Sequence, residues 1–244
     1  MGSEWSEIQT LNRVRRISPE PYPQELMSDA ARMIAAENYE TATETIDAVR
    51  DFVYLNAVDR QQRPYEADYS DAIQIMYDYS QGLTDEQPYL QCDGRSGSMF
   101  TLLQELGIES RLILLYGHDS SWISQHTFLE VFNPDTQQWE VHDGLYGIYL
   151  YDEVAERRAS AERAIFGPVE GMTACNTDGE CSLDFYDNVD GYLKAFRYGY
   201  TMTIWVNPDR FDLSKRFQRD ANLAEFLTGD PLDVTLQIGR WQGY

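Results

Sequence analysis

The most constraining feature of this 244-residue chain is one continuous stretch, residues 91–143, in which a helix with an apolar face is followed at once by three strands. Met99, Phe100, Leu102, Leu103 and Leu106 give residues 96–106 an apolar helical face, and Gly107 is a good terminator. Residues 111–116 are a short, nearly continuous apolar run closed by Gly117, the pattern of a buried strand. Residues 126–132 read as a second strand, Asn133-Pro134-Asp135 starts a turn, and residues 139–142 pair back as a hairpin. This order points to an α+β domain in which N-terminal helices pack on an antiparallel sheet.

Upstream, the prolines of residues 18–23 exclude a continuous helix and predict an extended lead-in. Helices are predicted over residues 24–36 and 39–56; in the second, Ala42, Ile46, Val49 and Val53 recur at helical spacing as one buried stripe. Ser70 suits the cap of a third helix carrying Ile73, Met76 and Tyr77, with Gly82 at its end. Residues 60–68 and 83–91 read as loops. Downstream, residues 150–166 read as a charged helix, 167–192 as loop, 201–206 as a strand, 220–227 as a short helix and 234–238 as a final strand. No internal repeat or clear domain boundary interrupts the chain. Residues 1–23 are a lead-in, 24–150 a core, and 151–244 an extension completing the same domain.

Composition narrows the partners. Asp and Glu number 41 against 19 Lys and Arg, a net charge of −22, and the only lysines are Lys194 and Lys215. Such a surface repels phosphate backbones and anionic bilayers, so nucleic acid and membrane surfaces are disfavoured partners. An acid-rich, lysine-poor surface suits a soluble protein, and equally one adapted to high salt. Hydrophobic residues make up 43% of the chain, enough for a sizeable core, yet no apolar run approaches the ~20 residues of a membrane span. The first ten residues are polar and resemble no signal peptide; the expectation is a cytoplasmic chain, or an exported one whose signal has been removed.

Three cysteines leave an odd thiol. Cys175 and Cys181 are close enough in sequence for a small disulfide in an oxidising compartment; two reduced thiols are the alternative. A metal site is disfavoured because no histidine lies near them. Asn176-Thr177-Asp178-Gly179 echoes part of a calcium loop, but its first position would be Ala174 and its twelfth Phe185, so the match fails; the dense carboxylates from Asp178 to Asp190 remain a minor alternative for holding a cation. No phosphate loop or dinucleotide fingerprint occurs, so neither metal nor cofactor is expected. Cys92 stands apart. It precedes the apolar helix, where the helix dipole and terminal N–H groups favour a thiolate and can hold an oxyanion. A thiol nucleophile needs a base. His118 lies in a polar loop, His142 ends a strand beside Asp143, and His126 opens a strand that can aim it. Adjacent strand residues face opposite ways, so His142 and Asp143 diverge. Asp143, 17 residues beyond His126, can return beside it across the hairpin and orient its ring.

At these residues the chain resembles the transglutaminase-like superfamily of papain-fold enzymes. The resemblance is carried by Cys92 opening a helix, Leu106-Gly107-Ile108, Arg111 leading into a strand, His126, Phe128-Leu129-Glu130-Val131, Trp139 and Asp143. It covers roughly residues 40–150. Phe128 stands where Trp is common, and Gly144 where Pro is common. The resemblance implies a papain/transglutaminase-like core with Cys92 as nucleophile, His126 as general acid–base and Asp143 as its orienter. It further implies an upstream oxyanion donor, for which Tyr89 and Gln91 are the candidates. The activity implied is acyl transfer through a thioester on Cys92, with hydrolysis of an amide in a protein, peptide or glycopeptide the first expectation. A non-catalytic peptide- or glycan-binding module and a protein-glutamine transglutaminase are the alternatives. Substrate identity and oligomeric state have no signature in the sequence.

Overall fold

Side-chain caps decide where the first helices begin. In this computed structural model, residues 22–59, 69–117, 126–166, 168, 170–181, 199–206 and 234–240 are described. A single 3-10 turn at Gln24–Leu26 precedes α1 (Asp29–Ala36), so the helix predicted over 24–36 is interrupted. The reason is Ser28, whose extended backbone lets its hydroxyl accept from the Ala31 N–H and so start a new helix there. α2 (Ala42–Asn56) begins behind a reciprocal Thr41–Glu44 capping box rather than at residue 39. α3 spans Tyr69–Ser80 and α4 Cys92–Glu105. The last begins four residues before the predicted start. Its first turn includes Gly94, a poor helix former, and in its second turn Gly97 sits so close to α3 that a Cβ on it would lie 2.3 Å from the Tyr69 ring.

The strands are β1 (Ser110–Gly117), β2 (His126–Asn133), β3 (Gln138–Asp143), β4 (Ile148–Asp152), β5 (Arg157–Arg158), β6 (Met172–Cys175), β7 (Gly199–Val206) and β8 (Val234–Arg240). They form one antiparallel sheet in the order β5-β4-β3-β2-β1-β7-β8, with β6 also paired to β4. The helices and antiparallel sheet make this an α+β fold. No helix among the described residues is long and apolar enough to cross a membrane.

Strand alternation sorts the sheet's residues into two cores. Leu112, Leu129 and Val131 join Ile34, Ile46, Val49, Val53, Ile73, Met76, Met99, Leu102 and Leu103 from the four helices. Their neighbours Ile113 and Phe128 join Val141, Ile148, Leu150 and Met172, with Ala161 and Ala164 of a short helix α5 (Ala161–Phe166). Both faces of β2 are therefore buried. Each fully buried Leu, Ile or Phe here contributes roughly 1.5–3 kcal/mol relative to an exposed one.

The helix predicted over 150–166 is mostly wrong. Tyr149, Leu150 and Tyr151 alternate as a strand with Leu150 buried. Asp152 then ends it, its Oδ1 accepting from the N–H groups of Val154 and Ala155, and only residues 161–166 are helical. The loop predicted over 167–192 contains β6, paired with β4 from Tyr149↔Cys175 to Asp152↔Met172. The strands predicted at 201–206 and 234–238 are present as β7 and β8. The lead-in at 18–21, the loop at 60–68, His118 with the segment 118–125, residues 182–192 and the helix expected at 220–227 lie outside the described residues.

Candidate active site

Cys92 is the first residue of α4 and is buried at 7% exposure. His126 is the first residue of β2, and Asp143 is the last of β3. The β2–β3 register runs back from Asn133↔Gln138 to Leu129↔His142, which returns Asp143 to the His126 end of the hairpin. His126 Nε2 donates to Asp143 Oδ2 at 2.6 Å; a carboxylate only accepts, so that nitrogen carries the hydrogen. The other carboxylate oxygen, Oδ1, accepts from the Leu145 N–H at 2.8 Å, while the Asp143 carbonyl accepts from the Gly147 N–H at 2.9 Å. Asp143 is thus held from both sides. The remaining imidazole nitrogen, Nδ1, is the one left for the Cys92 thiol, which hydrogen-bonds the ring.

The electrostatics follow from that contact set. Burial alone pushes the His126 imidazole toward neutrality, but the Asp143 carboxylate and the Cys92 sulfur outweigh it and raise its pKa to about 10. The ring lies between Phe128, with centroids 6.2 Å apart, and Tyr146, at 5.8 Å. Tyr146 is 37% exposed and forms the outer wall of the site. Burial, then Asp143, Cys92 and Asp59, pushes its hydroxyl up to about 12, so it stays a neutral O–H donor across the working range of proteins. Sequence reasoning missed Tyr146; its position three residues beyond Asp143 in a turn was the only signal. Tyr89 is buried and Gln91 is exposed at the N-cap position of α4, and the Gln91 amide donates to the Tyr89 hydroxyl at 2.9 Å. The two oxyanion candidates therefore form one hydrogen-bonded pair immediately upstream of Cys92.

The other residues of the sequence pattern build the frame. Arg111 bonds Glu130 through Nε at 2.6 Å and stacks over Trp139 at 4.1 Å. Glu130, fully buried, also accepts from the Ala161 N–H at 2.7 Å and so fastens α5 to the sheet. His142 faces away from Asp143. Its Nδ1 lies 3.0 Å from Arg50 Nη1, which can only donate, so His142 is the neutral Nε2–H tautomer, 3.5 Å from Glu140 Oε2. Burial, aided by Arg50 and Arg158, lowers its pKa to about 4 despite Glu140. Arg50, with no exposed surface, also bonds Asp47 and Thr177. Thr177 sits in the hairpin closed by the Cys175–Cys181 disulfide. Arg158 pairs with Asp47 and lies 4.0 Å over the Tyr149 ring. This second cluster ties α2 to β3, β4, β5 and the disulfide hairpin. Among the described residues no group of three or more His, Cys, Asp and Glu is arranged to hold a metal.

No family model and no curated protein matches this sequence. Among solved structures, a candidate cysteine protease from Cytophaga hutchinsonii is 11% identical over 68% of this chain and 56% of its own, with a TM-score of 0.33. Red sea bream transglutaminase is 12% identical over 74% of this chain and 46% of its own, with a TM-score of 0.38. The chain spans about half the length of each of these two structures.

Proposed function

We propose that this protein is a cysteine-dependent acyl-transfer enzyme with a papain/transglutaminase-like core that hydrolyses amides of protein, peptide or glycopeptide substrates. The single observation carrying this reading is the His126 imidazole, bonded to Asp143 at 2.6 Å through Nε2 and also hydrogen-bonded by Cys92. In the reaction, the Cys92 thiolate attacks the carbonyl carbon while protonated His126 stands beside it. The oxygen takes the negative charge, stabilised by N–H donors at the start of α4 and by the Gln91–Tyr89 pair. His126 gives its proton to the leaving amine, the C–N bond breaks, and a thioester on Cys92 remains. His126, now neutral, takes a proton from water as its oxygen attacks the thioester. The carboxylic acid leaves and the thiolate returns. Asp143 keeps the ring oriented and stabilises each imidazolium.

The test needs no known substrate. Cys92 should react with iodoacetamide at pH 6 at least about tenfold faster than glutathione, because the imidazolium favours thiolate where a free thiol is protonated. Hydrolysis of a peptide-amide library, with hydroxylamine to trap the thioester, should vanish on Cys92→Ala. A Cys92 that alkylates like glutathione would sink the reading. Incorporation of a primary amine at glutamine, in place of hydrolysis, would convert it to a transglutaminase.

A further inference from the structure

Arg95 lies three residues after Cys92 in α4 and is only 3% exposed. A guanidinium is always charged, so its burial is tolerated only where acceptors surround it. Here it reaches five backbone carbonyls. Nη1 meets Val53 at 3.5 Å, Tyr54 at 2.9 Å and Gly144 at 3.3 Å; Nη2 meets Ala57 at 2.8 Å; Nε meets Leu90 at 3.3 Å. Val53 and Tyr54 are among the last four residues of α2, whose carbonyls have no partner within the helix and carry the negative end of its dipole. Leu90 is two residues before Cys92. Gly144 follows Asp143 directly. The three segments that meet at one guanidinium are therefore the end of α2, the lead-in to the thiol, and the turn that orients the carboxylate.

We infer that Arg95 is a positioning residue, holding the Asp143 turn and the Cys92 helix start at a fixed separation so that both reach His126. Cys92, Arg95 and Met99 are spaced i, i+3 and i+7 and share one face of α4. That face supports the same turn twice. Arg95 bonds the Gly144 carbonyl, and Met99 packs so closely that a Cβ on Gly144 would lie 2.7 Å from its sulfur. The turn itself is rigid, closed by the bonds from Leu145 and Gly147 to Asp143. Moving Gly144 therefore moves the Asp143 carboxylate. Only a planar fork spans three segments at once, and a lysine ammonium, a single point, does not.

The inference deepens the triad reading and rests on it, but its test reads geometry. Among the described residues, the charged and aromatic groups facing His126 include Asp143 from β3, Cys92 from α4, Tyr146 from the turn and Phe128 from its own strand. The His126 ring is titrated by NMR in the full chain and in Arg95→Lys, which keeps the charge and loses the fork. Expected is a fall in the His126 midpoint of about one pH unit or more, with circular dichroism showing a folded protein. Cys92 alkylation by iodoacetamide at pH 6 should slow in parallel. An unchanged His126 midpoint in folded Arg95→Lys overturns the inference. If that variant does not fold, the same titration on Arg95→Gln decides, and loss of fold in both marks a purely structural tie and overturns it too. Ordinary alkylation of Cys92 in the unmodified protein sinks the enzyme reading alone; the Arg95 inference is decided by the titration.

Discussion

His126 and His142 sit on neighbouring strands of one hairpin, yet their imidazoles are driven in opposite directions, to pKa values of about 10 and about 4. Burial acts the same way on both, toward the neutral ring. The sign is set by the partners. His126 meets a carboxylate and a thiol that together outweigh burial; His142 also has a carboxylate, Glu140, 3.5 Å away, but the guanidiniums of Arg50 and Arg158 add to burial and keep its ring neutral. Strand alternation makes this separation possible, because His142 and Asp143 are adjacent in sequence and face opposite sides. One side of the β3 end holds a charged imidazole against a carboxylate. The other side locks α2, β3, β4 and the disulfide hairpin together with a neutral histidine. The protonation state of a buried histidine is therefore set by the balance of burial and all the charges around it.

The largest effect that would break this contrast is Asp143→Asn. It keeps the shape and removes the charge, so amide hydrolysis should fall on the order of 10²–10⁴-fold. The His126 midpoint, read by NMR, should drop from about 10 toward the ordinary value of 6.5. A midpoint that stays high would show that Asp143 is not the cause. Next is Arg50→Met on the other side. Breaking a buried ion-pair network by removing one partner costs about 3–5 kcal/mol, measurable by urea unfolding. The His126 titration should not move; if it does, the two clusters are coupled and the contrast dissolves.

His142 supplies a pH-dependent test. Its pKa is depressed in the folded state, so the unfolded chain takes up its proton near 6.5 while the native protein resists until about 4. The stability associated with neutral His142 is complete above pH 6.5 and is lost as pH falls toward 4, by roughly 3 kcal/mol. His142→Gln should flatten the decline of unfolding free energy across that window, and an undiminished slope would refute the assignment. The smallest expected effect is Gly144→Ala, about 1–3 kcal/mol, because the added methyl overlaps Met99. Its use is to sharpen the comparison: it should slow Cys92 alkylation while leaving the acid limb due to His142 unchanged.

Much of this arrangement was legible. Cys92, His126 and Asp143 were singled out by residue type, order and spacing, and the structure brings the three together. The hairpin that does so was readable from alternation and the Asn133-Pro134-Asp135 turn. Other parts were not. Arg50 falls between Val49 and Val53 on the buried stripe of α2, so a charged residue at a core position was the available clue to the second cluster. The first turn of α4 was missed because Gly94 lowers local helix propensity there. The strands β4 to β6 were missed because the turn at Asp152 depends on its side chain capturing two backbone N–H groups, a choice that charged flanking residues obscure.

By itself, the sequence determined the helix–strand–strand–strand order, the two-sided apolar pattern of the core strands, and which residue types were available for thiol chemistry. These are local properties, set by periodicity and by the functional groups a side chain carries. Only the tertiary structure decided that one histidine is held protonated and the other neutral, that Glu130 and Arg111 form the frame, and that Arg95 binds the end of α2 to the Asp143 turn. Those outcomes depend on the sign and distance of charges contributed by distant segments inside a buried, poorly screened interior, and nothing in the local sequence carries that information.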